Sequence, residues 1–257
     1  CTTSNMDNDM ALSSLPGQRS APSTTLSWHW RSLRQERALV LLLLMVVALV
    51  VMGQLNHQLW TPDEPREAAI VMEMFHSGDW VVPTLGGVSF IEKPPLYYIT
   101  ATLVLKLFGT QFDATAALRI VGMLWALGIL GCTGLLAQRL FASPRATLWS
   151  LIALGTMEGF ILNTHWIRVD STLAFFVIFT LWAYADYYLA GKAAMLWVAG
   201  LGLAGAFLSK GPIGPLTIFF GWAPLFALSI KPLLRQQGIS RVLAHHLAMV
   251  VCLILPV

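Results

Sequence analysis

Two short polar runs hold the residues best suited to chemistry: Asp63-Glu64-Pro65-Arg66-Glu67 and Glu92-Lys93-Pro94-Pro95. Both lie in one polar stretch, residues 56–95, between strongly apolar segments. That stretch gathers Asp63, Glu64, Glu67, Glu73, Asp79 and Glu92, almost half of the 13 acidic residues in the chain. A carboxylate beside an acceptor hydroxyl or amine can take its proton as a general base. A lysine preorganised at a water–lipid boundary can hold a phosphate and stabilise the charge it gains on leaving. Each run also has a plainer reading. Asp63 and Glu64 between two prolines could cap a helix and complement the positive end of its dipole. Glu92-Lys93-Pro94-Pro95 could be an interfacial anchor whose lysine snorkels at a helix start.

Composition says where this chemistry must be held. Hydrophobic residues make up 56 % of the 257 and charged residues 11 %, with a mean hydropathy of +0.68. Soluble domains carry about 25 % charge, so this chain has too little polar surface to cover a water-facing globule. Its repeated apolar runs approach the roughly 20 residues that cross a bilayer as a helix. They predict an all-α polytopic membrane protein, since a β-barrel would alternate apolar and polar residues in short segments. The net charge of +3 is too small to suggest a nucleic-acid partner, and the basic residues cluster at helix ends. Cys1, Cys132 and Cys252 show no CxxC spacing and read as small buried hydrophobes.

Residues 1–37, rich in Ser, Thr, Pro and Arg, predict a disordered cytoplasmic tail. Arg31, Arg34 and Arg37 precede the first span, Ala38–Leu55, and the positive-inside rule then places the 56–95 loop outside the cytoplasm. Within that loop Arg66–His76 has the spacing of an amphipathic helix lying on the membrane surface. Ser77-Gly78-Asp79 ends it, and Gly86-Gly87 marks a turn. Leu96–Phe108 is short for a span and reads as interfacial or re-entrant. Further spans are expected over 114–136, 147–166, 171–189, 193–208 and 213–230, with a last one from Val242. This makes about seven spans in a module over 38–257. It leaves Arg139, Arg145, Lys192 and the basic 231–241 loop in the cytoplasm; counting 96–108 as a span would move nearly all of these outside. The consequence is functional. Asp63, Glu64, Arg66, Glu92, Lys93, Asp170 and Lys210 all reach one membrane face, where they suit a phosphate-bearing lipid.

Several residues keep two readings. Arg168 and Asp170 could be a surface ion pair closing a short loop, or Asp170 could join Glu92 around a divalent cation. Lys210-Gly211-Pro212 is a helix stop that could also bring a second cation to the pocket, and His165 reads as interfacial. Glu158 and Asp186 lie within apolar helices, where charges face a bundle interior or an interface. Trp60, Trp166 and Trp222 fit an aromatic belt.

Taken together, Asp63-Glu64-Pro65-Arg66, Ser77-Gly78-Asp79-Trp80-Val81-Val82-Pro83 and Glu92-Lys93-Pro94-Pro95-Leu96 resemble the large-loop signature of one superfamily. It is that of the protein O-mannosyltransferases and aminoarabinose transferases, polytopic glycosyltransferases of the GT-C fold. The resemblance runs from about Arg37 to the end of the chain. It implies a GT-C helix bundle with juxtamembrane helices in its first extracytoplasmic loop. It further implies an inverting transfer of sugar from a polyprenyl-phosphate carrier to a lipid A-like lipid or a protein, at the periplasmic face of a bacterial inner membrane. By resemblance Asp63, with Glu64 beside it, is the catalytic carboxylate, and Lys93 is a donor-phosphate ligand aided by Arg66 and Lys210. Glu92 and Asp170 resemble supporting acids that could hold a divalent metal ion, the one cofactor in view. Glu67 departs from the pattern, standing where an aromatic or aliphatic residue is expected. The rival reading is a transporter or flippase of a polyprenyl-phosphate lipid. That should show discontinuous helices near mid-membrane and internal repeats; the sequence has Gly/Pro breaks at 211–215 but no repeat. Because the chain starts on Cys1 and stops within an apolar run, a C-terminally incomplete piece is expected.

Overall fold

Helices form nearly all of the structure, a computed structural model that describes residues 36–52, 54, 58–60, 62–237 and 247. In chain order they are α1 (Arg37–Val51), α2 (Asp63–Ser77), α3 (Leu96–Phe108), α4 (Ala114–Phe141), α5 (Pro144–Gly155), α6 (Glu158–His165), α7 (Asp170–Ala190), α8 (Met195–Lys210) and α9 (Ile213–Gln237). The one sheet among the described residues is a hairpin of β1 (Thr84–Leu85) and β2 (Val88–Ser89), paired Thr84 with Ser89 and Leu85 with Val88. The turn expected at Gly86-Gly87 is there. Both glycines have positive φ, 63° and 76°, as a two-residue hairpin turn requires.

The amphipathic helix expected over 66–76 is α2, one turn longer at its start. Asp63 and Glu64 lie in its first turn, where the helix dipole favours carboxylates, and Gly78 closes it in the left-handed conformation. Asp79 then accepts hydrogen bonds from the amides of Val81 and Val82 and turns the chain toward the hairpin. Glu73, on the exposed side of α2, accepts from the amides of Gly86 and Gly87, so the hairpin is tied to the helix. The Thr84 side chain and these two amides hold the Glu73 carboxyl below its ordinary pKa.

Two apolar cores position everything else. The first joins Ile70, Val71 and Met74 of α2 to Tyr97, Tyr98 and Ala101 of α3, Leu118 and Val121 of α4, and Ile167 and Val169. The second joins Tyr184, Tyr187 and Tyr188 of α7 to Leu196, Ala199 and Leu203 of α8 and Ile218 of α9. Helices α7 and α8 approach closely because their contact is lined by small residues. A Cβ on Gly202 would lie 2.3 Å from Thr180 Oγ1, and one on Gly205 2.4 Å from the Phe176 ring.

By length and composition α4 and α7 can each cross a bilayer, while α1, α3, α8 and the start of α9 are shorter apolar helices. The span expected over 147–166 is broken in the structure. It is two helices, α5 and α6, bent by 63° at their junction. Thr156 Oγ1 bonds back to the carbonyls of Ile152 and Ala153, and Met157 then adopts an extended conformation, which together end α5. Leu96–Phe108 is a separate short helix, as its length suggested. The tail over 1–35 and the run from Val242, apart from residue 247, lie outside the described residues.

Candidate active site

Asp63 and Glu64 are neighbours on one turn, yet their surroundings separate them. Successive residues of a helix point about 100° apart. Glu64 turns inward and is 1 % exposed. Its Oε1 accepts from Arg119 Nη1 at 3.0 Å and the Ile167 amide at 2.8 Å, and its Oε2 from Arg119 Nη2 at 3.2 Å and the Trp60 amide. A carboxylate offers about four acceptor positions, so Glu64 has none left. Arg119, fully buried on α4, also donates to the carbonyls of Gln58 and His165. The pair thus ties the start of α2, the middle of the first core and the α6–α7 connection into one unit. Asp63 turns outward, its side chain 37 % exposed. Its Oδ1 accepts from Arg66 at 3.2 Å and its Oδ2 from Arg168 at 3.0 Å, leaving an acceptor position on each oxygen.

Around Asp63 the structure assembles charges from four parts of the chain. Arg168 precedes α7 and bridges Asp63 to Asp170, 3.7 Å from its Nε. Asp170 opens α7 and accepts from Lys210, which closes the neighbouring α8. On the α3 side, Glu67 is 1 % exposed and accepts from Lys93 Nζ and, at 2.7 Å, from Tyr98 Oη; Arg66 lies 3.6 Å from it. Burial, and then the Glu67 charge, push the Tyr98 phenol well above its usual pKa, so it stays a donor. Asp63, Glu67 and Asp170 therefore face Arg66, Lys93, Arg168 and Lys210. Three acids against four bases leave the cluster one positive charge in excess, the balance of an anion site.

Beside it lies a cavity of about 690 Å³ between α4, the α5–α6 bend and α7, lined by Leu154, Met157, Phe160, Asn163, Asp170 and Ser171 among others. Its walls are mostly apolar, with Asn163, Thr164, Asp170 and Ser171 as its polar lining, so the space suits an amphipathic molecule. Arg168 also stacks over Trp166, 5.1 Å from the ring centre.

Of the residues singled out by sequence, Asp63, Arg66, Asp170 and Lys210 join this network, with Lys93 linked to it through Glu67 and Arg66. Glu92 is exposed. No group of three His, Cys, Asp or Glu among the described residues could hold a metal ion. Asp170 is already charge-matched by Lys210 and Arg168, so the donor set does not fit a divalent cation. His165 contacts the Val50 carbonyl at 2.8 Å, tying α6 to α1. Asp186 is buried between Arg139 and Lys192 at the opposite ends of α4 and α7, and Glu158 starts α6 exposed. Sequence reasoning missed Arg119, Tyr98 and the part played by Glu67. Arg119 carried a signal: a lone arginine inside an apolar run needs a partner.

The chain resembles known proteins in both sequence and fold. A family profile described as dolichyl-phosphate-mannose-protein mannosyltransferase matches residues 92–257. An undecaprenyl phosphate-alpha-4-amino-4-deoxy-L-arabinose arabinosyl transferase of Pseudomonas savastanoi pv. phaseolicola is 28 % identical over 228 residues, covering 85 % of this chain and 40 % of its own. The protein of that name from Pseudomonas aeruginosa (strain UCBPP-PA14) is 28 % identical over 231 residues, 86 % of this chain and 40 % of its own. The crystal structure of apo ArnT from Cupriavidus metallidurans superposes with a TM-score of 0.64 at 25 % identity, over 86 % of this chain and 41 % of that one. The undecaprenyl phosphate-bound ArnT structure gives 0.65 at 24 % identity and supports the fold, over 87 % of this chain and 40 % of that one. The chain thus spans about 40 % of the length of the curated relatives it matches.

Proposed function

Since the chain belongs to the dolichyl-phosphate-mannose-protein mannosyltransferase family, an all-α membrane family of GT-C glycosyltransferases, we propose that it takes part in an inverting sugar transfer. The donor is a polyprenyl-phosphate-linked sugar and the acceptor a lipid A-like lipid or a protein. The site faces the periplasm across a bacterial inner membrane, in a bundle of about seven spans over 38–257 with its catalytic loop over 56–95. The observation that carries this reading is Asp63: an accessible carboxylate with a free acceptor position on each oxygen, inside a cluster of net positive charge.

The roles follow from that arrangement. Asp63 takes the proton of the acceptor nucleophile, which attacks the anomeric carbon from the face opposite the phosphate. As the new bond forms, the bond from that carbon to the phosphate oxygen breaks and its electron pair stays on the phosphate. Lys93, with Arg66, Arg168 and Lys210 of the same charge network, meets the charge that develops there. Glu64 serves by position, holding the start of α2 against α4 so that Asp63 faces the cluster. The apolar cavity beside Asp170 takes the hydrocarbon part of a lipid substrate.

The α5–α6 bend is the feature that would suit a flippase, since discontinuous helices mark transporter sites. Proteoliposomes supplied with a panel of polyprenyl-phosphate sugars and acceptors separate the two readings. A glycosylated acceptor from one donor supports transfer. Movement of the lipid phosphate between leaflets with no new glycoside would favour transport instead.

A further inference from the structure

Glu67 is the buried member of the charge cluster that the proposed chemistry does not use. It is 1 % exposed and accepts a hydrogen bond on each oxygen. Lys93 and Tyr98 bond to it directly, Arg66 lies 3.6 Å away, and the Tyr97 phenol is within its electrostatic reach. Its backbone neighbours on α2, Asp63 and Glu64, are committed elsewhere: Asp63 to Arg66 and Arg168, Glu64 to the buried Arg119. Glu67 therefore acts on the site mainly through Lys93, the expected phosphate ligand, and through the charge it adds.

That charge sets a balance. With Glu67 the cluster carries one excess positive charge; without it, two. A polyprenyl-phosphate sugar is a phosphodiester with a single negative charge. The polyprenyl phosphate left after transfer is a monoester, with about 1.5–2 negative charges near neutrality because its second ionisation lies near pH 6. We infer that Glu67 is a specificity residue that matches the site to the singly charged donor and weakens its hold on the more highly charged product, so that transfer is followed by release. The inference rests on the reading of Lys93 as a phosphate ligand. A carboxylate touching that lysine adds a repulsion that grows with each charge on the bound phosphate. For one further charge at the separations of such a site this is on the order of tenfold in affinity.

The test compares farnesyl phosphate with its methyl ester, probes that share a chain and differ in one ionisable oxygen, binding to the protein in nanodiscs. At about pH 8, Glu67→Gln should raise the monoester-to-diester affinity ratio roughly tenfold over the unaltered protein, whereas at about pH 5, where both probes carry one charge, the ratio should not move. Tyr98→Phe, which removes a hydrogen bond but no charge, should leave the ratio unchanged at either pH. A Glu67→Gln ratio equal to that of the unaltered protein at both pH values overturns the inference and leaves the phosphate site standing. Failure of the unaltered protein to bind either probe overturns both. Should Glu67→Gln not fold, phosphorus NMR of farnesyl phosphate on the unaltered protein decides. Its second ionisation should stay near pH 6 or above, and a midpoint well below that would contradict a site matched to one charge.

Discussion

Replacing Arg119 by methionine probes the most consequential contact in the structure. The guanidinium is fully buried and supplies two of the four hydrogen bonds that Glu64 accepts, at 3.0 and 3.2 Å. Arg119→Met leaves the Glu64 carboxylate at 1 % exposure with only the Trp60 and Ile167 amides. It also strips the Gln58 and His165 carbonyls of their donor. Removing one partner of a buried pair costs about 3–5 kcal/mol, because an uncompensated charge is left behind. For a chain of this size that amounts to roughly 6–20 °C in Tm, at about 2–4 °C per kcal/mol. The assay is thermal unfolding of the purified protein in detergent, followed by tryptophan fluorescence. Glu64→Gln combined with Arg119→Met removes both charges and should recover much of the loss, since no charge is then left buried without its partner. A shift below about 2 °C for Arg119→Met, or a double variant no better than the single, would refute the idea that Glu64 acts by position.

Three further outcomes follow from the geometry. Gly122→Ala would put a Cβ 2.4 Å from the Thr164 carbonyl oxygen, a backbone atom that must shift; a loss of about 1–3 kcal/mol in thermal or denaturant unfolding is expected. The lowered Glu73 pKa makes its hold on the hairpin present above the ordinary value of 4.5 and lost as pH falls below it. Protection of the Gly86 and Gly87 amides, taken relative to their intrinsic exchange rates, should therefore fall as pH drops through the lowered Glu73 value in the native chain, and should show no such step in Glu73→Gln. Lys93→Gln should weaken binding of a polyprenyl phosphate by roughly ten- to a hundredfold, read by titration in nanodiscs, and should also lower Tm, because it leaves the buried Glu67 carboxylate without its lysine.

Much of this arrangement was legible in the sequence because charge in a membrane protein is scarce and its placement constrained. The positive-inside rule and the run lengths brought Asp63, Arg66, Asp170 and Lys210 to one face, and the structure joins them through Arg168. The Ser77-Gly78-Asp79 stop and the Gly86-Gly87 turn were readable because only glycine enters those backbone conformations cheaply. The bend between α5 and α6 was not readable. Hydropathy continues across Gly155-Thr156-Met157, no proline marks the break, and the threonine hydroxyl that helps end α5 gives no periodic signal. Nor could sequence divide the work of Asp63 and Glu64, because the division depends on Arg119, more than fifty positions away along the chain. Asp186 is a similar case: its partners Arg139 and Lys192 were each foreseen at cytoplasmic helix ends, but not their meeting around it.

The central claim is that Asp63 carries the chemistry, and Asp63→Asn tests it most directly. Asparagine keeps the size of the side chain and one acceptor oxygen but cannot take the proton. In proteoliposomes the variant should bind the polyprenyl-phosphate sugar with little change while transfer to the acceptor falls by roughly 10²–10⁴-fold. Transfer at the native rate by a correctly folded, donor-binding Asp63→Asn protein would contradict the account.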